Sequence, residues 1–207
     1  MRRIRLTKKK ILTLAIIVAL FAIAAAGTLA YYTDEIIFHN IITTSAVDIT
    51  LNEKQMTDTG LTDFPKGGIR GVMPGMKVSK IVSVTNEKAD TWVRIRVTGR
   101  IEGPNGAALP MNLPDGTPVY TLDMTEDTGW IQGSDGIWYY SWPLAADQTT
   151  DTLFESVTFA AGLTNDYQNC TVYIDVTAQA VQYANNELPA SGSPEDIPGW
   201  PEEQTSP

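Results

Sequence analysis

Two stretches of this chain alternate apolar and polar residues at every second position, and nothing after Ala30 repeats with helical spacing. In the first, Val93, Ile95 and Val97 interleave with Arg94, Arg96, Thr98 and Arg100; in the second, Cys170, Val172, Ile174, Val176, Ala178 and Ala180 take every other place. A period of two separates the two faces of a strand, so the chain is bound to β structure with a buried sheet face. Residues 78–85 and 153–160 are further Val/Ile-rich runs, bounded by Gly, Pro, Asn and Asp clusters. Trp130-Ile131 and residues 137–142 flank Gly133-Ser134-Asp135-Gly136, and an Asp-Gly pair supplies the positive φ of a tight hairpin. The polar loop 86–90 predicts a second antiparallel hairpin between 78–85 and 92–101. Residues 34–40 leave room for one short helical turn, and the Gly- and Pro-rich stretch 103–118 reads as a long excursion loop. The expected fold class is all-β, an antiparallel two-sheet sandwich or jelly roll.

The two ends differ from this middle. Arg2, Arg3, Arg5, Lys8, Lys9 and Lys10 precede the apolar run 11–26, which closes on Gly27-Thr28-Leu29-Ala30. A basic start, an apolar centre and small residues at the end make an export signal, expected as a helix, with cleavage between Ala30 and Tyr31. An uncleaved anchor is the alternative, because 11–30 is long enough to span a bilayer. Five of the seven residues from Ala24 to Ala30 are Ala or Gly, which favours cleavage. In both cases the remainder is translocated, so the product is expected outside the cell, with membrane contact only before cleavage. From Leu188 onward, Pro189, Pro194, Pro198, Pro201 and Pro207 alternate with Ser, Gly and acidic residues. That composition predicts a flexible acidic tail. The expected organisation is a signal peptide over 1–30, a β-sandwich over 31–187 and a tail over 188–207.

Charge and cysteine usage narrow the function. Six of the 15 basic residues and none of the 24 acidic ones lie in 1–30, so cleavage leaves 177 residues with 9 basic against 24 acidic side chains, net −15. Such a surface repels nucleic acid and anionic lipid. Cys170 is the only cysteine, so no internal disulfide forms; its place in the alternation predicts a buried, inert thiol. His39 is the only histidine, and a zinc protease or a serine triad needs more around it. The sequence therefore calls for no enzyme, no cofactor and no metal site. Asp123, Glu126 and Asp127 read as a solvated acidic turn, with loose cation binding as the alternative. Trp92, Trp130, Trp138, Tyr139, Tyr140 and Trp142 read as core and cross-strand aromatics; the alternative is a sugar-binding face, with Tyr139 on the opposite side from Trp138 and Tyr140.

The order of several motifs resembles a known group. Lys8-Lys9-Lys10-Ile11 with Gly27-Thr28-Leu29-Ala30-Tyr31-Tyr32-Thr33-Asp34 is similar to export signals handled by the SipW-type signal peptidase of Gram-positive bacteria. Residues 42–53 (ITTSAVDITLNE) resemble the first strand of the TasA/camelysin family. Val72-Met73-Pro74-Gly75-Met76-Lys77-Val78-Ser79-Lys80, Val84-Thr85-Asn86, Trp92-Val93-Arg94-Ile95-Arg96-Val97 and residues 176–182 (VTAQAVQ) follow in that family's order. The resemblance covers most of 8–182. It implies a secreted jelly-roll protein of the biofilm matrix or cell surface, whose partners are the SipW-type peptidase, copies of itself in fibres, and other matrix or surface components. In such fibres the N-terminal segment of one subunit completes a neighbour's sheet. Ile36, Ile37, Phe38, Ile41 and Ile42 are the candidate donor residues: a β-prone, proline-free, apolar run that is a hazard when exposed and gains main-chain bonds on another subunit's edge. Two other readings stay open, a camelysin-like metalloendopeptidase and a monomeric module for cell-wall glycan.

Overall fold

The computed structural model describes residues 47–201. The apolar run 11–30, the Ala30-Tyr31 junction and the donor residues Ile36, Ile37, Phe38, Ile41 and Ile42 lie outside them. Among the described residues no helix is long and apolar enough to cross a membrane. The chain is all-β: β1 (Ile49–Thr57), β2 (Gly60–Asp63), β3 (Ile69–Arg70), β4 (Lys77–Ser79), β5 (Ile81–Asn86), β6 (Thr91–Glu102), β7 (Ala108–Leu109), β8 (Tyr120–Met124), β9 (Trp130–Gln132), β10 (Trp138–Tyr140), β11 (Phe154–Phe159) and β12 (Thr171–Gln182). Two 3-10 turns, Asn165–Tyr167 and Pro194–Asp196, complete the elements of the described residues.

All strand pairings among the described residues are antiparallel. One sheet runs β3-β12-β6-β10-β9, with β7 also on β6; a second runs β2-β1-β5 and a third β4-β11-β8. Backbone bonds from Lys80 to Glu155, Leu153 to Val82, Thr150 to Val84 and Asn86 to Gln148, all near 2.9 Å, carry the β11 strand on along β5. The second and third sheets are thereby laced together. Inward residues of all three, including Val82, Val84, Ile95, Phe154, Val157, Phe159, Val172, Ala178 and Ala180, share one hydrophobic core. The β9–β10 hairpin forms as its sequence requires: Gly136 has φ +78, and Gly133 N–H donates to the Ile137 carbonyl at 2.8 Å.

Three expectations are corrected. The loop 86–90 joins β5 to β6 but makes no hairpin. β5 lies between β1 and residues 148–153, and β6 between β12 and β10, so neither strand has an edge left for the other. Buried Asn86 fixes the crossing, donating Nδ2 to the carbonyls of Leu144 (2.8 Å) and Ala89 (3.0 Å) and accepting from Lys88 N–H (3.2 Å). The run 78–85 is broken at Lys80, which turns inward onto Glu53 as a buried ion pair with its ammonium 4.1 Å from the Phe64 ring centre. Such a pair is tolerated because each charge meets its opposite out of water.

The third correction concerns the chain end. Residues 188–201 are not a free tail. Ile197 is buried against Trp92 and Val181, with Trp200 packed beside it, so the polar face expected for β6 is covered at Trp92 and Arg94. Composition misleads here because two large apolar side chains, spaced by Pro198 and Gly199, are enough to anchor a short segment. Residues 202–207 lie outside the described residues.

Candidate functional site

Every residue of β12 from Thr171 to Gln182 pairs with β6. Tyr183 N–H donates to the Asp90 carbonyl at 2.9 Å, which extends the ladder by one residue and sets its phase. In an antiparallel pair the main-chain groups of alternate residues point to opposite edges. Odd-numbered positions of β12 therefore bond toward β6, and even-numbered positions point away. On that far edge β3 takes only Thr171 and Val172, and the Gln182 carbonyl accepts from Asn186 Nδ2 at 2.8 Å. Between them, Ile174, Val176, Ala178 and Ala180 direct N–H and C=O to a side on which the described residues place no strand. Ala178 and Ala180 are 0% exposed. Buried main-chain groups need hydrogen-bond partners, so this edge calls for one more strand than residues 47–201 supply.

Among the described residues a second edge is covered along part of its length. β1 carries β5 from Ile49 to Lys54 on one side, but β2 joins the other side only from Lys54. The Phe64 N–H to Glu53 carbonyl bond (2.9 Å) puts Glu53 on the β2 side, and by alternation Ile49 and Leu51 face that side too, ahead of β2. β1 approaches β12. Both strands reach the same connection: Glu87 N–H donates to the Asp48 carbonyl (2.8 Å), and Asp90 accepts from Tyr183. Val47 thus lies near the connection that the Gln182 end of β12 also reaches.

The aromatic set divides. Trp92, Trp130, Tyr139 and Tyr140 are buried, Trp138 is half-buried and Trp142 is 57% exposed. Tyr139, expected on an outer face, is covered by Trp200 in edge contact at 5.7 Å. Burial pushes its hydroxyl up to about 12, assisted by the Asp135 carboxylate that accepts its proton at 2.7 Å. Tyr140 stands between Trp130 (5.1 Å) and Trp142 (5.7 Å), and Asp151 holds the cluster by accepting from Gly129 N–H (3.0 Å) and Tyr140 OH (3.2 Å).

Cys170 is buried, and burial pushes its thiol up, as the strand phase predicts for an inert cysteine. Asp123 stands apart from the acidic turn expected with Glu126 and Asp127: it lies on β8, accepting from Ser156 Oγ (2.7 Å) and Thr158 Oγ1 (2.8 Å) and pairing with Lys77 (2.9 Å). These donors hold its carboxyl below the usual range. Among the described residues no group of three or more His, Cys, Asp or Glu side chains is placed to hold a metal ion. No protein-family model, curated protein or solved structure matches the chain.

Sequence reasoning named a donor and no acceptor. The acceptor edge, Ile174 to Ala180, lies in a strand whose alternation is plain in the sequence, but alternation reports faces and not edges.

Proposed function

We propose that this chain is an exported structural protein of jelly-roll type, of the kind found in the TasA/camelysin family, that assembles into fibres at the cell surface or in the extracellular matrix. Cleavage between Ala30 and Tyr31 by a SipW-type signal peptidase frees the N-terminus. Residues 36–42, carrying Ile36, Ile37, Phe38, Ile41 and Ile42, then add to the far edge of β12 in a neighbouring subunit. The observation that carries this reading is the buried edge from Ile174 to Ala180, on which the described residues lay no strand. A strand laid there gains main-chain bonds and removes apolar side chains from water, and head-to-tail addition that does not close gives filaments.

Chain polarity distinguishes a subunit's own segment from its neighbour's. β12 runs toward the 86–90 connection and β1 starts from it. An antiparallel segment of the same chain would place Ile42 near Ile174 and then have to return to Val47, beside Gln182. Five residue steps reach roughly 17 Å, whereas eight steps along β12 cover roughly 27 Å. The chain's own segment can therefore fill this edge only in the parallel sense. A neighbour's segment has no such tether and enters antiparallel, the more stable pairing per residue.

The test is direct. Protein recovered from culture supernatant begins at Tyr31 and forms filaments visible by electron microscopy. Ile37→Asp or Ile41→Asp abolishes the filaments while the domain keeps its circular dichroism and cooperative unfolding. A product that stays strictly monomeric at high concentration, from mildly acidic to neutral pH, would falsify the assembly role.

A further inference from the structure

Arg94 lies on the outer face of β6. It is 5% exposed and forms no ion pair among the described residues. A guanidinium out of water must be met by hydrogen-bond acceptors and by π faces. Here Nε donates to Gln179 Oε1 (2.6 Å) and Nη1 to the Tyr139 hydroxyl (3.4 Å), both within the sheet. The remaining partners come from the C-terminal segment: Nη2 donates to the Pro201 carbonyl at 2.8 Å, and the Trp200 ring lies 4.8 Å from Cζ. The same segment inserts Ile197 against Trp92 and Val181. It also caps the β9–β10 turn, where Glu195 accepts from Ser134 Oγ (2.6 Å) and Ser134 N–H (3.2 Å). Trp200 Nε1 donates back to the Pro194 carbonyl at 2.9 Å, so the segment holds its own bound shape.

This arrangement has the parts of a peptide site: an apolar slot, an arginine shelf for a tryptophan, and a hydroxyl and N–H clamp for a carboxylate. We propose that the outer face formed by Trp92, Arg94, Tyr139 and Val181 is a peptide-recognition site for the Ile197-Pro198-Gly199-Trp200-Pro201 segment, and that it accepts this segment from a second copy of the chain. The join to the rest of the molecule permits exchange. Asn186 is held by Trp92 Nε1, which donates to its carbonyl at 2.7 Å, but residues 187–192 make no hydrogen bond to the β-domain among the described residues. From Asn186 to Ser193 the chain extends roughly 25 Å, enough to carry the anchors to an adjacent subunit. Exchange replaces each contact by an identical one, so it costs little once neighbours are held close. The site is separate from the β12 edge, but its exchange rests on the proposed assembly, which holds neighbours close.

Two exposed-side substitutions in the full chain, Ser134→Cys and Glu195→Cys, test it with a short bis-maleimide reagent, Cys170 being buried. A chain carrying both cross-links within itself and shows that the reagent reports the Glu195–Ser134 contact. Mixing two chains that carry one substitution each, at filament-like concentration, gives a covalent heterodimer at a yield at least ten-fold above either chain alone. Adding Trp200→Ala to the Glu195→Cys chain removes most of it. If electron microscopy shows filaments in the mixture but only the doubly substituted chain cross-links, the segment is a fixed part of its own domain and the proposal is overturned; absence of filaments counts instead against the assembly itself.

Discussion

β6 and β12 are neighbours of equal length, each a dozen residues paired in one continuous register, yet they are finished differently. β6 has β12 along one edge, and Leu144, β10 and β7 in turn along the other; its outer face is roofed near Arg94 by the C-terminal segment. β12 has a closed edge toward β6 and a far edge that the described residues cover with a strand only at Thr171 and Val172. Side-chain patterns of the two strands look alike. The difference lies in main-chain groups, which every residue carries, and within residues 47–201 it leaves the far edge of β12 without a strand from Ile174 to Ala180.

Proline scanning of β12 breaks or confirms that difference, and the largest effect is expected there. Proline removes an N–H. At Thr177 the lost N–H belongs to the β6 ladder, so Thr177→Pro costs about 3 kcal/mol or more and unfolds the domain or nearly so. At Ala178 the N–H faces the edge on which the described residues lay no strand. Ala178→Pro is expected to keep cooperative thermal unfolding yet stop filament growth. Equal damage from both substitutions means that the far edge is already closed by the chain itself.

The same two strands show how far a sequence can be read. Alternation located β6, β12 and their buried faces, and the Asp135-Gly136 pair located the β9–β10 turn, because these are properties of neighbouring residues. The assignment of 78–85 and 92–101 to one hairpin failed because pairing is decided by which edges distant strands have taken. Residues 148–153 and β12 claimed them first. Tyr139 was misplaced for a related reason: its cover, Trp200, arrives from sixty residues away in a segment whose composition reads as disordered. The one local sign was that Ile197 and Trp200 are large apolar residues in an otherwise polar stretch. The open rim of β12 had no signature in side chains at all.

The roofed face of β6 gives the next effect in size. Trp200→Ala removes an aromatic partner of both Arg94 and Tyr139 and is expected to cost about 2 kcal/mol, read as a lower denaturant midpoint. It also uncovers Tyr139, whose hydroxyl is pushed up to about 12 by burial. A group with a raised folded pKa contributes stability that is whole below the unfolded value near 10 and lost as pH rises through the folded one. The wild-type domain should therefore weaken between about pH 10 and 12, and Trp200→Ala should flatten that alkaline loss as the Tyr139 phenol titrates nearer its ordinary value. An unchanged Tyr139 titration by ultraviolet absorbance would show that the C-terminal cover does not shield it.

The smallest effect belongs to a ladder closed on both sides. β11 sits between β4 and β8, and Asp123 crosses that ladder by accepting from Ser156 and Thr158 and pairing with Lys77. Its side chain is a third exposed, so solvent screens the ion pair and the two hydroxyl bonds carry most of the effect. Asp123→Asn keeps an acceptor but loses its charge, for an expected loss of about 1 kcal/mol at neutral pH. The donors hold the folded carboxyl below its ordinary value of 3.8. Its contribution is therefore present above that value and lost as pH falls through the lower folded one. Wild type and variant should draw together in urea titrations as pH falls below 3.8. Because no strand is missing beside β11, filament yield should not change, and a variant that stops assembly here would show that growth depends on general sheet stability and not on the rim of β12.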